Sequence, residues 1–362
     1  HFNSWQFSAM HGMAPALIGI AIIAGGMAKS AQFPLMSWLP DAMEGPTPAS
    51  ALIHAATMVA AGVFVGVRVF DITGPETHLF MGIIGAISFL AGAVFAIFQN
   101  DIKKTLAYST IPQLGLMWMG MGSDASLFHL LTHGIFKAGL FLAAGAVIHT
   151  VHSQSLNDMG GLRKKAPIAA LAYLIFGAGL MGLPLTGGFY SKENIAGYLY
   201  TNGQVELLVV LALGMILTSF YISRQFYLIF MGPLKEGSST TEFALPISVL
   251  VIASLFIWIS VNPLEMHENT FISIYHIPSF WLYITAATWV LGIAGAYVTR
   301  NWIPAGNYQF LAGFWPSLFR LIRWKSRSAQ VFETQFIDRF VNGVAALQVI
   351  IAHLSAWFDR HI

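Results

Sequence analysis

The chain has 362 residues, of which 56% are hydrophobic and only 9% charged, with a net charge of +2 and a mean hydropathy of +0.67. Soluble domains carry about 25% charged residues, so a soluble globular enzyme is excluded. The small net charge and the lack of a basic, aromatic-interleaved patch give no footing for nucleic acid. With no cysteine, the chain has no disulfides, thiolate metal centres or Fe–S ligands.

Apolar runs predict nine membrane spans, at 11–40, 48–70, 79–98, 102–121, 125–150, 167–200, 204–232, 243–261 and 279–300. Most hold about 20 residues, enough to cross a hydrocarbon core of about 30 Å. The chain begins at His1 with no basic n-region or cleavage site, and it reads as an internal stretch whose N-terminal helices precede it.

Two spans differ from the rest. The first carries Gly25, Gly26, Pro34 and Pro40, and the sixth is too long for one straight crossing and too short for two. The middle of the sixth contains Gly182, Pro184, Gly187 and Gly188. Proline removes a helical hydrogen bond and glycine weakens the helix, so both spans are expected to be discontinuous. Irregular backbone at membrane depth is tolerated where it lines a cavity, and interrupted spans mark ion paths in transporters.

Loops after spans 3, 5 and 7 carry Lys103, Lys104, Arg163, Lys164, Lys165 and Lys235, and Arg300 follows span 9. Loops after spans 4, 6 and 8 hold acids and no Lys or Arg, and Arg68 is the exception on that side. The positive-inside rule places the basic set in the cytoplasm, provided that span 6 crosses once. Beyond residue 300, Arg320, Arg323, Lys325 and Arg327 suit anionic headgroups. Phe332, Phe336, Phe340, Val344, Leu347, Ile351, Leu354 and Phe358 then recur at steps of three and four, the pattern of an amphipathic helix lying along a membrane or a partner. The expected fold is an all-α polytopic membrane bundle with two discontinuous helices. Its parts are a transmembrane domain (1–300), a basic cytoplasmic-side connector (301–330) and the start of an amphipathic helix (331–362).

Ionisable groups inside apolar spans are expensive and mark functional sites. Lys29, Lys137 and Lys192 are three such groups, joined by His54, His129, His133 and Glu193. His129, His133 and Lys137 are spaced i, i+4, i+8 and share one helical face, drifting about 40° per step. Histidine changes charge near neutral pH, and such groups with intervening water make a proton relay. The plainer alternative is a helix–helix contact held by hydrogen-bonded histidines, with Lys137 snorkelling. Lys29 could instead be half of a structural ion pair, and Lys192 with Glu193 a polar plug. Adjacent residues on a helix face different neighbours, so Lys192 and Glu193 are expected to diverge. Arg224 is read as structural, since guanidinium does not relay protons. Asp101, Lys103 and Lys104 read as an interfacial anchor, and His149 and His152 as solvated or functional. No paired carboxylates, phosphate-cradling glycine loop or Ser-His-acid set is evident. The His129/His133 pair lacks the further ligands that a metal or haem site needs.

The stretch from Gly26 through Lys29, Trp38, Asp41 and Glu44 to His54 and Val59 resembles the signature of the antiporter-like subunits of respiratory complex I, which are related to the large subunits of Mrp-type sodium/proton antiporters. Residues 101–110, the His129–Lys137 span and the Gly187–Glu193 element agree with it. The resemblance covers residues 12–240 strongly, and the Ser191-Lys192-Glu193 element most resembles the distal, L-type branch. It implies that Lys29 is the central lysine of the first broken helix, paired with a glutamate on an earlier helix. It also implies that His54, His129, His133 and Lys137 form the hydrophilic axis, and that Lys192 is the second broken-helix lysine. Residues 331–362 would begin the long lateral helix of that branch.

The implied function is proton translocation coupled to NADH:quinone electron transfer elsewhere in the complex. The implied setting is the bacterial cytoplasmic (inner) membrane, ahead of the mitochondrial one. No cofactor or metal is expected in this chain; FMN, Fe–S clusters and quinone would sit in partner membrane and peripheral subunits. A secondary Na⁺/H⁺ antiporter of Mrp type is the alternative, followed by a quinone-binding subunit and a structural scaffold.

Overall fold

A computed structural model describes residues 15–55, 57–235, 243–257 and 278–299. The predicted connector (301–330) and amphipathic helix (331–362) lie outside the described residues. Among the described residues the chain is helical without a strand, and one isolated bridge joins Asp101 to Ser155.

The helices are α1 (Ala16–Lys29), α2 (Trp38–Asp41), α3 (Thr47–Ala55), α4 (Met58–Val69), α5 (Pro75–Ile97), α6 (Ile102–Tyr108), α7 (Thr110–Met119), α8 (Asp124–Val151), α9 (Pro167–Met181), α10 (Gly187–Thr201), α11 (Val205–Phe230), α12 (Ala244–Phe256) and α13 (Ser279–Thr299). By length and composition, α5, α8, α11, α13 and the α3–α4 run can cross a membrane, while α1, α9 and α12 are shorter apolar helices. Nine spans were expected; among the described residues five helical stretches are long and apolar enough to cross, and several predicted spans appear as shorter helices.

The first span ends at Lys29, not at the Gly25-Gly26 pair, and helix resumes at Trp38. In the sixth, α9 ends at Met181 and α10 begins at Gly187. A further division was not anticipated: span 4 splits at Ser109. Its cause is Pro112, which has no N–H and whose ring crowds the carbonyl four residues back.

α8 sits at the centre. It packs against α3, α7, α9, α10 and α12, and it buries side chains around its circumference, including Phe128, His129, Phe136, Lys137 and Phe141. Such a helix shows no single polar face, because protein surrounds it. Close approach of α9 and α10 requires Gly188, where an added Cβ would lie 1.8 Å from the Gly179 carbonyl oxygen.

Candidate functional site

Three lysines are fully or almost fully buried: Lys103, Lys137 and Lys192. Each rests on backbone carbonyls at the end of an interrupted helix. Lys192 Nζ donates to Leu180 O (2.5 Å), in the last turn of α9. Lys137 Nζ donates to Leu106 O (3.0 Å), in the last turn of α6, and to Ser109 Oγ (2.5 Å) at the break itself. Lys103 Nζ donates to Met43 O (2.5 Å) and Gly45 O (2.6 Å), around the short 3₁₀ turn Ala42–Glu44. The last carbonyls of a helix have no intrahelical partner and carry its negative dipole end, so an ammonium there replaces a carboxylate. Lys103 is therefore an internal cap rather than the interfacial anchor predicted. Asp101 caps α6 by accepting from Lys103 N (2.7 Å) and Lys104 N (3.0 Å).

Around Lys137 the polar groups form a line. Thr110 Oγ1 donates to Leu106 O (3.1 Å), so it accepts from His54 Nδ1 at 3.1 Å. This leaves the His54 Nε2 lone pair without a protein partner. His54 packs on Phe141 and is fully buried at the end of α3. Ser109 Oγ accepts from Lys137 and donates to Leu106 O (2.8 Å).

A second line ends at Ser191, the residue before Lys192. In its neutral form, His129 donates from Nε2 to Gln113 Oε1 (3.2 Å) and accepts at Nδ1 from Ser191 Oγ (2.8 Å). Ser191 precedes Lys192 on α10. Both His129 nitrogens are thus engaged, and among the described residues no group of three His, Asp or Glu converges as metal ligands.

Two groups stand between the lines. His133 is fully buried, lies edge-on to Phe136, and neither ring nitrogen has a protein partner. It is within electrostatic reach of Lys137, His129, His54 and Lys192. Tyr221 is buried on α11 near Thr218, Gln113 and Ser109, and its hydroxyl is bonded to no protein group.

Glu193 diverges from Lys192, as adjacency predicted. It is 1% exposed, and Thr285 Oγ1 of α13 donates to its Oε1 at 3.0 Å. Lys29 does not join the group. It is exposed at the end of α1, which packs on α4 and α5, beside the exposed Leu17, Ile18, Ile22 and Leu35. His149 and His152 are exposed at the end of α8, and Arg224 is buried on α11.

The structure thus gathers His54, His129, His133, Lys137 and Lys192 around α8, places Glu193 on the far side of α10, and leaves Lys29 on the surface. Sequence reasoning missed Ser109, Thr110, Gln113, Ser191, Tyr221 and Thr285. Pro112 following Ser109-Thr110 was a legible signal for the break. Uncharged hydroxyls and amides in apolar spans give no comparable signal.

Residues 5–220 match the family described as NADH:quinone oxidoreductase/Mrp antiporter, transmembrane. The chain belongs to this family. It is 44% identical to NADH-quinone oxidoreductase subunit L of Pseudomonas aeruginosa, over 68% of this chain and 42% of that protein. It is also 44% identical to the same subunit of Escherichia coli, over 67% of this chain and 41% of that protein. Chloroplastic NAD(P)H-quinone oxidoreductase subunit 5 of Mesostigma viride is 41% identical, over 90% of this chain and 58% of that protein. The structure of the Mrp complex from Dietzia sp. DQ12-45-1b superposes with a TM-score of 0.69 at 26% identity, over 94% of this chain and 41% of that one. The chain spans about half the length of the relatives it matches. With its apolar crossing-length helices, this member of the NADH:quinone oxidoreductase/Mrp family is a multi-pass membrane protein.

Proposed function

We propose that this chain is the proton-conducting membrane part of a proton-translocating NADH:quinone oxidoreductase, in the role of its L-type subunit. The proton path runs through Lys137, His54, His133, His129 and Lys192, with Glu193 as a further station and Lys29 at the entry side. One observation carries this reading: two lysines sealed in the helix core rest on helix-end carbonyls, and the buried imidazoles His54 and His129 around them are held by hydroxyls and an amide. Groups of this kind hand on protons by rearranging hydrogen bonds, and buried imidazole nitrogens without protein partners are completed by internal water.

In this reading the two interruptions after Lys29 and Met181 are discontinuous membrane helices. Their free carbonyls let a lysine hold or release a proton without a carboxylate beside it. Lys29 is the exception: exposed here, it calls for a carboxylate on a helix outside the described residues. Electron transfer elsewhere would remove that counter-charge, favour proton release from Lys29, and pass the disturbance inward by Coulomb coupling between amines. Redox chemistry, with FMN, Fe–S clusters and quinone, belongs to partner membrane and peripheral subunits. The membrane of this reading is a bacterial inner membrane.

The test is proton pumping in vesicles carrying the assembled complex with Lys29→Ala or Lys137→Ala. A reduced H⁺/e⁻ ratio is expected in each, and an undiminished ratio in both would overturn the proposal. The likeness to the Mrp complex favours one other reading, a Na⁺/H⁺ antiporter. Sodium-dependent proton exchange without NADH or quinone would establish that reading instead.

A further inference from the structure

Glu193 is held by a helix that is otherwise peripheral. α13 packs mainly on α11 and exposes Phe280, Leu282, Tyr283, Val290 and Leu291. Yet Thr285, 1% exposed, points inward and donates to Glu193 Oε1 across 92 residues of sequence. Trp281, 5% exposed and one turn away on α13, lies against the same carboxyl. On its other side Trp281 lines an apolar groove of about 400 Å³ with Tyr200, Val205, Leu208, Phe280 and Ile284. The indole therefore stands between the carboxyl and the apolar exterior. Glu193 Oε2 is buried and bonded to no protein group.

We propose that α13 is the positioning helix for Glu193: Thr285 fixes one carboxyl oxygen, Trp281 closes the lipid side, and Oε2 is left as the oxygen that takes up and releases the proton. This rests on the proton-relay reading and adds to it two residues outside the Lys/His axis. A buried carboxyl free to rotate would present either oxygen, and one open to the groove would face hydrocarbon. A hydroxyl donor on Oε1 and an aromatic wall remove both possibilities. Among the described residues, Lys192 on the same helix is the charged group acting on this carboxyl, and α13 brings only Thr285 and Trp281 to it.

The test is the pH profile of proton-coupled turnover in membranes holding the assembled complex. Thr285 donates to Oε1, so Thr285→Val should displace the profile along the pH axis by about one unit, the size of one hydrogen bond to a charged group. Thr285→Ser should restore it. Trp281→Ala, which removes the wall, should displace it as well. A Thr285→Val profile that is unchanged, or lowered by one factor at every pH, overturns the positioning role. Glu193→Gln separates the two claims. Loss of the corresponding limb while Thr285→Val is silent defeats only this inference, whereas an unchanged Glu193→Gln profile defeats the relay role of Glu193 as well.

Discussion

Lys29 and Lys192 stand beside the two breaks that the sequence announces, in similar company, and they meet opposite environments. Both breaks hold a non-glycine residue in the left-handed region, Ala31 (φ 51°) and Leu185 (φ 66°). In both, side chains meet the freed backbone: Ser88 Oγ accepts from Phe33 N and Trp38 donates to Ala28 O at the first, while Thr186 caps α10 at the second. The difference lies in what surrounds them. α10 is enclosed by α8, α9 and α11, so Lys192 turns inward onto Leu180 O. Among the described residues α1 packs mainly on α4 and α5, and Lys29 is exposed. A broken helix therefore supplies the carbonyls for a buried amine, and packing decides whether the amine uses them.

The widest gap between the two regions is expected from the lysines themselves. Lys137→Met and Lys192→Met should each lower coupled proton transfer about a hundredfold or more, the scale of losing a positioned proton carrier. Stopped-flow acidification of vesicles measures this, and a loss confined to Lys29→Met would reverse the comparison. Next comes the packing behind each break. Gly188→Ala drives a Cβ to 1.8 Å from Gly179 O and should cost about 3 kcal/mol or more, seen as lost assembly or a lower melting temperature.

Lys103→Met strips the Met43 and Gly45 carbonyls of their donor. It should destabilise by about 1–3 kcal/mol and open residues 42–47 to limited proteolysis. At the small end, Gly25→Ala meets nothing within 4 Å and should stabilise α1 by up to about 1 kcal/mol, measured by thermal melting.

Charge in an apolar context was the legible signal, and it led to Lys137, Lys192, His54, His129 and His133. Helix class and the break at Gly182–Thr186 were readable because glycine and proline act locally. What could not be read depends on which helices meet. The burial of Lys103 follows from the corner at Met43–Gly45, some 60 residues away in sequence. Gln113 and Ser191 look like ordinary polar residues until α7 and α10 bring them to opposite sides of His129. Lys29 reads from sequence as buried because its neighbours are apolar, yet it is exposed here while Met27, Ser30 and Ala31 beside it are buried.

The central claim is that the neutral partners of the buried imidazoles, and not charges alone, sustain the proton path. Its most direct test is the H⁺/e⁻ ratio of the assembled complex carrying Gln113→Leu together with Ser191→Ala, which detaches His129 from both partners and leaves every charge in place. A marked fall in the ratio with the complex intact is the expected result; a ratio equal to that of the unaltered protein would contradict the account.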